Sequence, residues 1–374
     1  MARVYLAPCA EYRTDLLDAA VAEAFEALGL DEKIQPGMRV VIKPNLIMRS
    51  KSEAGIITHP AVVAAVGRRV KARGASVLIV ESPGGPYSPG IMKSNFVHCG
   101  YTAMVQENGF ELYTACASRE VTAPEAQRCR QFTIVEPFLT ADLIIDIAKL
   151  KTHGMMLFSG TVKNLFGTVP GLLKPELHCR FPEKQPFAEM LVDLCERIAP
   201  TISMVDGITA MEGNGPTGGS PRFVGVLGVS ENPYALDEIC CRVVGIDPQD
   251  VLYLANASGR GLYQSQDIEV LGASVQSLYV PDFKMPDSAS VDFIDRLPRF
   301  LRPMASKLTT PRPYIPKSKC VGCGKCAESC PVHTITIRNH KAQIDPSKCI
   351  RCFCCHEMCP QHIVEIRRFS LFNL

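Results

Sequence analysis

Cys320-Val-Gly-Cys-Gly-Lys-Cys-Ala-Glu-Ser-Cys-Pro331 is the most informative stretch of the sequence. Its cysteines follow the spacing CxxCxxCxxxCP, and the same spacing recurs 29 residues later in Cys349-Ile-Arg-Cys-Phe-Cys-Cys-His-Glu-Met-Cys-Pro360. Cysteines two residues apart on a tight loop can bind three corners of an iron–sulfur cubane, and in paired motifs the fourth cysteine binds the cluster of the other motif. The repeat therefore predicts two [4Fe–4S] clusters in one small α+β domain.

The spacing also assigns the ligands of each cluster. The first cluster is predicted to bind Cys320, Cys323, Cys326 and Cys359, and the second Cys349, Cys352, Cys355 and Cys330. Structural zinc is the alternative, because paired CxxC motifs also bind zinc, but CxxCxxCxxxCP occurring twice is not a zinc spacing. Cys354 has no ligand role in this pattern, and we interpret it as a spare thiol, with a redox role as the alternative.

The charge of the chain argues against a polyanionic partner. Residues 317–374 contain nine Lys or Arg and four Asp or Glu, a net charge of +5. Two oxidised clusters with their thiolates add about −2 each, so the basic residues mostly offset the clusters. The whole chain contains 40 Lys and Arg against 38 Asp and Glu. We therefore expect no binding to nucleic acid.

Length and composition are those of a globular protein. The chain has 374 residues, 47% of them hydrophobic and 21% charged, which excludes a disordered or collagen-like chain and suggests two domains. The N-terminus lacks the pattern of a signal peptide, and no apolar run approaches the roughly 18 residues of a membrane span. These features predict a cytoplasmic protein with reduced thiols and no membrane span.

Upstream of the cysteine repeat, prolines indicate a connector. Seven prolines lie between positions 281 and 316, and each lacks a backbone donor and resists the interior of a helix. We assign the connector to residues 274–316, with one short helix around Ser290–Leu297, and the cluster domain to residues 317–368. Residues 1–273 form the remaining domain.

The N-terminal domain is predicted to be α/β, with a mostly parallel open sheet and helices on both faces, because short β-branched runs alternate with helical patterns. The predicted strands are Val40–Lys43, Val77–Glu81, Leu143–Lys151, Ile202–Asp206 and Val224–Val229, and the predicted helices are Thr14–Leu28, Phe187–Ile198 and Tyr234–Val244. A further helix is expected to be capped by Thr58, to contain Pro60 in its first turn and to end at Gly74.

Basic residues follow the predicted strands, where ligands bind in an open parallel sheet. Lys149, Lys151 and His153 alternate with period two, so they project from one face if the strand continues. Lys43 follows another strand, and Lys163 lies shortly downstream. Lysines suit phosphate or carboxylate groups as point charges, so this set predicts a site for an anionic small molecule in which mutual repulsion lowers the lysine pKa values. The alternative is that each lysine is a solvated surface residue.

Two weaker patterns are set aside. Gly213-x-Gly215-x-x-Gly218 formally matches a dinucleotide fingerprint, but Arg222-Phe-Val224 opens a strand where a helix is required. The eight cysteines outside the repeat lack metal-ligand spacing and are interpreted as buried thiols. Cys99 and Cys179 lie in predicted loops beside histidines, which leaves a catalytic thiol as an alternative.

Six blocks of the N-terminal domain together resemble the signature blocks of domain-of-unknown-function family 362. They are Lys43-Pro-Asn45, Lys149-Leu-Lys-Thr-His153, Gly160-Thr-Val-Lys-Asn-Leu-Phe-Gly167, Asp206-Gly207, Glu212-Gly-Asn-Gly-Pro216 and Ala235-Leu-Asp237. Members of this family are often fused to a two-cluster ferredoxin, which the segment from Pro316 to Arg367 resembles. The resemblance covers about residues 3–270 and names no reaction. It implies one site formed by Lys43, Asn45, Lys149, Lys151, His153, Lys163, Asn164, Asp206, Glu212, Asn214 and Asp237.

Three functions remain open. The first is an iron–sulfur oxidoreductase that passes electrons from a soluble redox partner protein to an anionic substrate or cofactor in the N-terminal domain, with a further organic cofactor left undetermined. In that hypothesis the lysines neutralise developing charge, His153 donates a proton because a histidine pKa lies near 7, and Asp206 or Glu212 orients His153 or binds a metal. The second is a non-catalytic electron carrier or maturation factor for a partner enzyme, and the third is a ligand-gated redox sensor.

Overall fold

The structure is a computed structural model that describes residues 1–288 and 311–367. The helix predicted around Ser290–Leu297 lies outside these residues, as does the end of the chain from residue 368.

A mixed, mostly parallel sheet forms the centre of the N-terminal domain. The strands described before residue 289 are β1 (Ala2–Pro8), β2 (Arg39–Pro44), β3 (Ser76–Ile79), β4 (Glu111–Leu112), β5 (Ser118–Thr122), β6 (Gln131–Val135), β7 (Leu143–His153), β8 (Leu157–Ser159), β9 (Ile202–Glu212), β10 (Ser220–Ser230) and β11 (Ile268–Gly272). Eight of them follow the order β11-β1-β10-β9-β7-β2-β3-β4, with β8 paired to the end of β7, and β5 pairs with β6 separately. β7 runs parallel to both β2 and β9, whereas β10 is antiparallel to β1 and β9. The α/β class predicted from the sequence is confirmed.

Helices cover both faces of this sheet. They are α1 (Thr14–Leu28), α2 (Pro60–Ala72), α3 (Pro89–His98), α4 (Tyr101–Asn108), α5 (Pro137–Thr140), α6 (Thr161–Asn164), α7 (Leu173–Arg180), α8 (Lys184–Ile198), α9 (Pro233–Val243) and α10 (Leu252–Gly259). Residues of β7 alternate between two hydrophobic cores: Ile145 and Ile147 pack with α1 and α2, and Ile144 and Ala148 pack with α8 and α9. Both faces of β7 are buried, and its first six residues are apolar except for Asp146.

The helix expected to be capped by Thr58 is capped by its neighbour instead. His59 Nδ1 accepts the N–H of Ala61 at 3.1 Å, so His59 is the N-cap of α2. The Thr58 hydroxyl donates to the carbonyl of Ile147 and accepts the N–H of Asn45. Thr58 therefore links β2 to β7 and is not available as a cap.

Three central strands are longer than their apolar runs. β7 extends to His153, β9 to Glu212, and β10 begins at Ser220. Antiparallel partners extend them: β8 pairs with the end of β7, and β9 and β10 pair from Glu212 opposite Ser220 onward. The glycine-rich loop at 213–219 thus joins two strands, as its rejection as a dinucleotide fingerprint predicted.

The cysteine repeat forms a small unit with internal symmetry. Its strands are β12 (Arg312–Tyr314), β13 (Ile335–Arg338), β14 (Lys341–Ile344) and β15 (Glu365–Arg367), and its helices are α11 (Lys325–Glu328) and α12 (Cys354–Glu357). β12 pairs with β15 and β13 with β14. α12 follows α11 at the 29-residue offset of the cysteines, and left-handed residues recur at the same offset, Gly322 with Arg351 and Gly324 with Phe353. The two motifs therefore adopt the same loop, at a conformational cost where the residue is not glycine.

Candidate functional site

The first set of predicted cluster ligands converges on one cavity. Cys320, Cys323, Cys326 and Cys359 line it together with apolar residues. Burial, followed by the neighbouring thiolates of Cys359, Cys320 and Cys323, raises the pKa of Cys326 to about 11. The fourth cysteine thus comes from the other motif, as the spacing predicted. Four clustered thiols that would repel one another as thiolates are a donor set suited to a [4Fe–4S] cluster.

The cysteines of the second set also lie near one another. Burial raises the pKa of Cys355 well above its usual value, and the thiolates of Cys352, Cys349 and Cys330, together with Cys326 of the first set, raise it further. Cys354 is buried but lines a different cavity, the one between the two domains. Cys354 also forms a side-chain hydrogen bond with Cys352, which raises the pKa of Cys354 well above its usual value. The position of Cys355 among several thiols favours Cys355 as the ligand, and Cys354 stays assigned as a spare thiol.

Two of the predicted anion-binding lysines are already neutralised. Lys43 Nζ donates to Glu81 at 2.9 Å, and Lys149 Nζ donates to Asp206 at 2.9 Å. Both pairs are fully or almost fully buried. Asp206 also accepts hydrogen bonds from the Tyr12 hydroxyl and from the backbone N–H groups of His59 and Ile208. It therefore neither orients His153 nor is free to bind a metal. These residues form internal ion pairs in place of the predicted open anion site.

Lys151 belongs to a buried hydrogen-bond chain. Its Nζ donates to Asn45 Oδ1 at 2.6 Å and to the carbonyl of Ile56 at 2.8 Å. Asn45 donates to Asn164 Oδ1 at 3.0 Å, and Asn164 donates to Asp146 Oδ1 at 2.8 Å. Three predicted site residues are therefore brought together, along with Asp146, which the sequence did not suggest.

Lys163 differs from the other lysines because, among the described residues, its ammonium group forms no hydrogen bond or salt bridge, although the Glu357 carboxylate acts on it from a longer distance. Its side chain lies in α6, the residue is 8% exposed, and Nζ sits 5.7 Å from the ring centroid of Phe166. Within residues 1–288 and 311–367, no hydrogen-bond acceptor or carboxylate contacts this ammonium group. A buried ammonium without a directly bound acceptor is costly, so Lys163 marks a place where an anion would be stabilised.

Lys163 lines a cavity between the two domains. The cavity has a volume of about 720 Å³, including its opening to solvent. Lys151 and Lys174 lie in the same lining, and Cys354, Glu357 and Met358 complete it from the cluster domain. The cavity thus combines three lysines with a surface next to the second cysteine motif.

Lys174 lines one side of the cavity and is fixed there by hydrogen bonds. Its Nζ donates to the carbonyls of Ser82 and Val169, both at 2.6 Å. His178, one helical turn later in α7, stacks on Phe187 at 4.3 Å, and its buried Nδ1 has no hydrogen-bond partner in the described part of the chain. Burial lowers the pKa of His178 to about 3, so its imidazole is neutral at pH 7.

His153 is not the proton donor that its residue type suggested. Its Nδ1 accepts the N–H groups of Met155 and Met156, and its Nε2 lies 3.1 Å from Glu357 Oε1 without hydrogen-bond alignment. Burial, followed by the charge of Lys163, lowers the pKa of His153 to about 4. His153 is therefore neutral near pH 7, and its charged neighbour is Glu357 of the cluster domain instead of Asp206 or Glu212.

The remaining predicted residues lie outside the cavity. Glu212 accepts the backbone N–H of Lys284, and the carbonyl of Asn214 faces His356 Nε2 at 3.0 Å. Asp237 accepts the N–H and hydroxyl of Thr161 and so fixes the start of α6. Asn214 thus contributes to contact between the domains, and Asp237 positions the helix that contains Lys163.

The pKa values of these lysines are lowered, as predicted, but the main cause is burial and not mutual repulsion. Burial lowers the pKa of Lys149, Lys151 and Lys163, and for Lys151 the repulsion of Lys163 is a smaller contribution that helps to bring the value to about 7. Burial also lowers the pKa of Lys174 to about 7. Two amines near the cavity thus change charge close to neutral pH.

Lys174, His178 and Glu357 were not predicted as site residues. Lys174 and His178 lie on a helix with no strand end or motif beside them, and Glu357 lies inside the second cysteine motif, more than 200 residues from His153. The 3.1 Å contact between Glu357 and His153 depends on how the two domains pack. No periodicity or spacing in the sequence contains that information.

The fold and site define an iron–sulfur protein in which a basic cavity adjoins a two-motif cluster domain. The chain belongs to the family described as domain of unknown function (DUF362), whose model matches residues 40–242. A 4Fe-4S dicluster domain matches residues 312–360. The resemblance found in the sequence is confirmed, and the C-terminal domain is of the type that transfers electrons through iron–sulfur clusters.

Similar proteins include a thylakoid-associated protein of Synechocystis sp., which is 32% identical over 295 residues that cover 78% of this chain and 89% of that protein. Among solved structures, the lactate racemase apoprotein from Thermoanaerobacterium thermosaccharolyticum aligns with a TM-score of 0.36 and 14% identity over 55% of this chain. The chain spans 50% of the length of that structure. Within the described residues, no helix is both long enough and apolar enough to cross a membrane.

Proposed function

We propose that the protein is an iron–sulfur oxidoreductase whose interdomain cavity binds an anionic small molecule, either substrate or cofactor, and reduces it with electrons from a redox partner protein. The observation that supports this most strongly is Lys163. Its buried ammonium faces a cavity lined by both domains and forms no hydrogen bond or salt bridge among the described residues. A bound carboxylate or phosphate would supply a direct counter-charge in addition to the more distant Glu357.

The other lysines have supporting roles in this proposal. Lys151 and Lys174 already donate to protein oxygens, so each is held in place and adds positive potential. Positive groups fixed in a site with little water stabilise negative charge that develops on a bound molecule. Because the pKa of each lies at about 7, either amine is suited to donate the proton that accompanies reduction.

The cluster domain contributes both position and chemistry. Two [4Fe–4S] clusters bound by the eight cysteines would supply electrons one at a time. Cys354, Glu357 and Met358 are part of the second motif and line the cavity. A molecule held by Lys163 would therefore lie beside the ligands of the second cluster.

An anion should stabilise the protein through Lys163. In thermal melts under argon with phosphate, sulfate, citrate and nucleotides, we expect at least one anion to raise the midpoint, since a ligand at 100 times its dissociation constant adds roughly 2.7 kcal/mol. Lys163→Gln should abolish that rise. The matched control is Lys93→Gln on the exposed side of α3, which should keep it. A rise of equal size in Lys163→Gln, or no rise with any of these anions in the wild type, would contradict the proposal.

The pH dependence should have a defined sign. An unfolded lysine has a pKa of 10.5, whereas Lys151 and Lys174 have values of about 7 in the fold. Between these values the unfolded chain binds more protons, so this contribution to the stability of the ligand-free protein increases as the pH rises from 7 to 10 and is lost as the pH falls through 7. Anion affinity should change in the opposite direction, weakening above pH 7 as the amines lose their charge.

Denaturant melts and anion titrations at pH 6.5, 8 and 9.5, compared between wild type and Lys174→Met, measure both effects. The variant should show a smaller increase of stability with pH, because an amine whose pKa is lowered in the fold has been removed. Identical slopes in the two proteins would show that Lys174 is protonated normally in the fold.

A further inference from the structure

The two cysteine motifs face different surroundings. Of the eight predicted cluster ligands, all within the described residues, Cys323 is exposed, Cys349 is half-buried and the others are buried. The second motif packs against the N-terminal domain, where the Thr217 hydroxyl donates to the carbonyl of Glu357 at 3.2 Å. The first motif is the more accessible of the two.

The loop of the first motif and the β13–β14 hairpin form one surface. Lys341 Nζ donates to the carbonyl of Cys320 at 2.6 Å, and the N–H of Ala342 donates to the Cys320 sulfur at 3.4 Å. A side chain at Gly322 would meet the carbonyl of His340 at the hairpin turn. We call the surface formed by Val321, Cys323, Lys325, Ile337, Arg338 and Lys341 the first-motif face.

The first-motif face combines two exposed apolar side chains with exposed basic ones. Val321 is 60% exposed and Ile337 is 39% exposed. Lys325 pairs with Glu328 at 2.8 Å, but an exposed pair of this kind is weak. Arg338 is exposed and has no carboxylate partner within residues 1–288 and 311–367. Small electron-transfer interfaces combine little buried area with complementary charge.

The charge of the cluster domain is uneven. Residues 317–345, around the first motif, contain five Lys or Arg and two Asp or Glu, whereas residues 346–368 contain four and two. The net charges are therefore +3 and +2. An oxidised cluster with its thiolates adds about −2 to each side, so the first-motif side stays positive and the second is about neutral.

We propose that the first-motif face docks an acidic one-electron carrier protein. In each encounter the carrier loses one electron and this protein gains one; no bond forms or breaks, and no proton is taken up. Electrons enter at the exposed first motif, and the buried second motif faces the cavity. The later delivery of electrons to a cavity ligand rests on the proposed function, but docking of the carrier does not.

The test is a binding measurement with the full-length, cluster-loaded protein and oxidised flavodoxin, an acidic carrier, under argon at low and at physiological salt. Lys325→Gln with Arg338→Gln should weaken binding by at least about tenfold and reduce its salt dependence, because rim charges steer such encounters. The matched control is Lys348→Gln with Arg351→Gln, which removes two exposed charges beside the second motif and should change affinity by less than about twofold.

Cytochrome c, a basic one-electron carrier, should not bind measurably. Equal weakening in the two double variants, no measurable binding of flavodoxin to the wild type, or binding of cytochrome c as tight as that of flavodoxin would overturn the proposal. Iron content checks that the variants are loaded. Both double variants should keep the anion-induced rise in melting midpoint, so a failure here is distinguishable from a failure of the cavity proposal.

Discussion

Replacing Cys355 by Ser should remove about half of the iron and sulfide from anaerobically purified protein, whereas replacing Cys354 by Ser should remove none. Two cubane clusters require about eight iron and eight sulfide per chain. Cys355 lies among the thiols of Cys352, Cys349 and Cys330, but Cys354 lines the interdomain cavity. The two cysteines are adjacent in sequence and both buried, so each serves as the other's control for the effect of the substitution itself.

Iron and sulfide analysis, with the visible absorbance that dithionite bleaches, measures this result. Equal loss in both variants would show that the ligand assignment is wrong. Near-stoichiometric zinc without sulfide in the wild type would replace the iron–sulfur interpretation by structural zinc.

Replacing Asp206 by Ala should destabilise the N-terminal domain by about 3–5 kcal/mol, because the substitution leaves the buried ammonium of Lys149 unpaired. Asp206 is fully buried and accepts from Lys149 Nζ, the Tyr12 hydroxyl and the backbone N–H of His59, each at 2.9 Å. Denaturant unfolding under argon measures the loss. Asp267→Ala, at an exposed carboxylate, should change stability by less than about 0.5 kcal/mol.

This prediction separates a structural role from the catalytic role that the sequence suggested for Asp206. If Asp206→Ala kept its stability within about 1 kcal/mol of wild type, the pair with Lys149 would not be an internal support of the fold. The residue would then have to be considered again as part of a functional site.

The sequence predicted the features that depend on local spacing. The cysteine spacing grouped Cys359 with the first motif, and the same grouping occurs around one cavity. The short apolar run that begins at Leu143 predicted a strand, and β7 spans Leu143–His153 with both faces buried.

The sequence did not reveal which lysines are neutralised. Lys43, Lys149, Lys151 and Lys163 all follow strand ends or lie near them, so they looked equivalent. The difference depends on strand register, since Lys149 and Asp206 are direct partners across the parallel pair of β7 and β9. Sequence position alone does not specify that register.

For a related reason, the sequence did not indicate the protonation state of His153. A histidine after a strand suggested a pKa near 7, but burial beside Lys163 lowers the value to about 4. The carboxylate that approaches it comes from the cluster domain. Contacts between domains, like buried charges, depend on packing that a single sequence does not display.

The central claim is that electrons reach an anion held by Lys163 in the interdomain cavity. The most direct test is a single-turnover measurement, in which protein reduced by dithionite and freed of excess reductant is mixed under argon with candidate carboxylate and phosphate acceptors while the absorbance of the clusters is followed. The account predicts saturable reoxidation by at least one acceptor and at least about a tenfold higher half-saturating concentration in Lys163→Gln, with unchanged iron content. Reoxidation by an acceptor protein but by none of these small anions, or identical saturation in wild type and Lys163→Gln, would contradict it and favour an electron carrier for a partner enzyme.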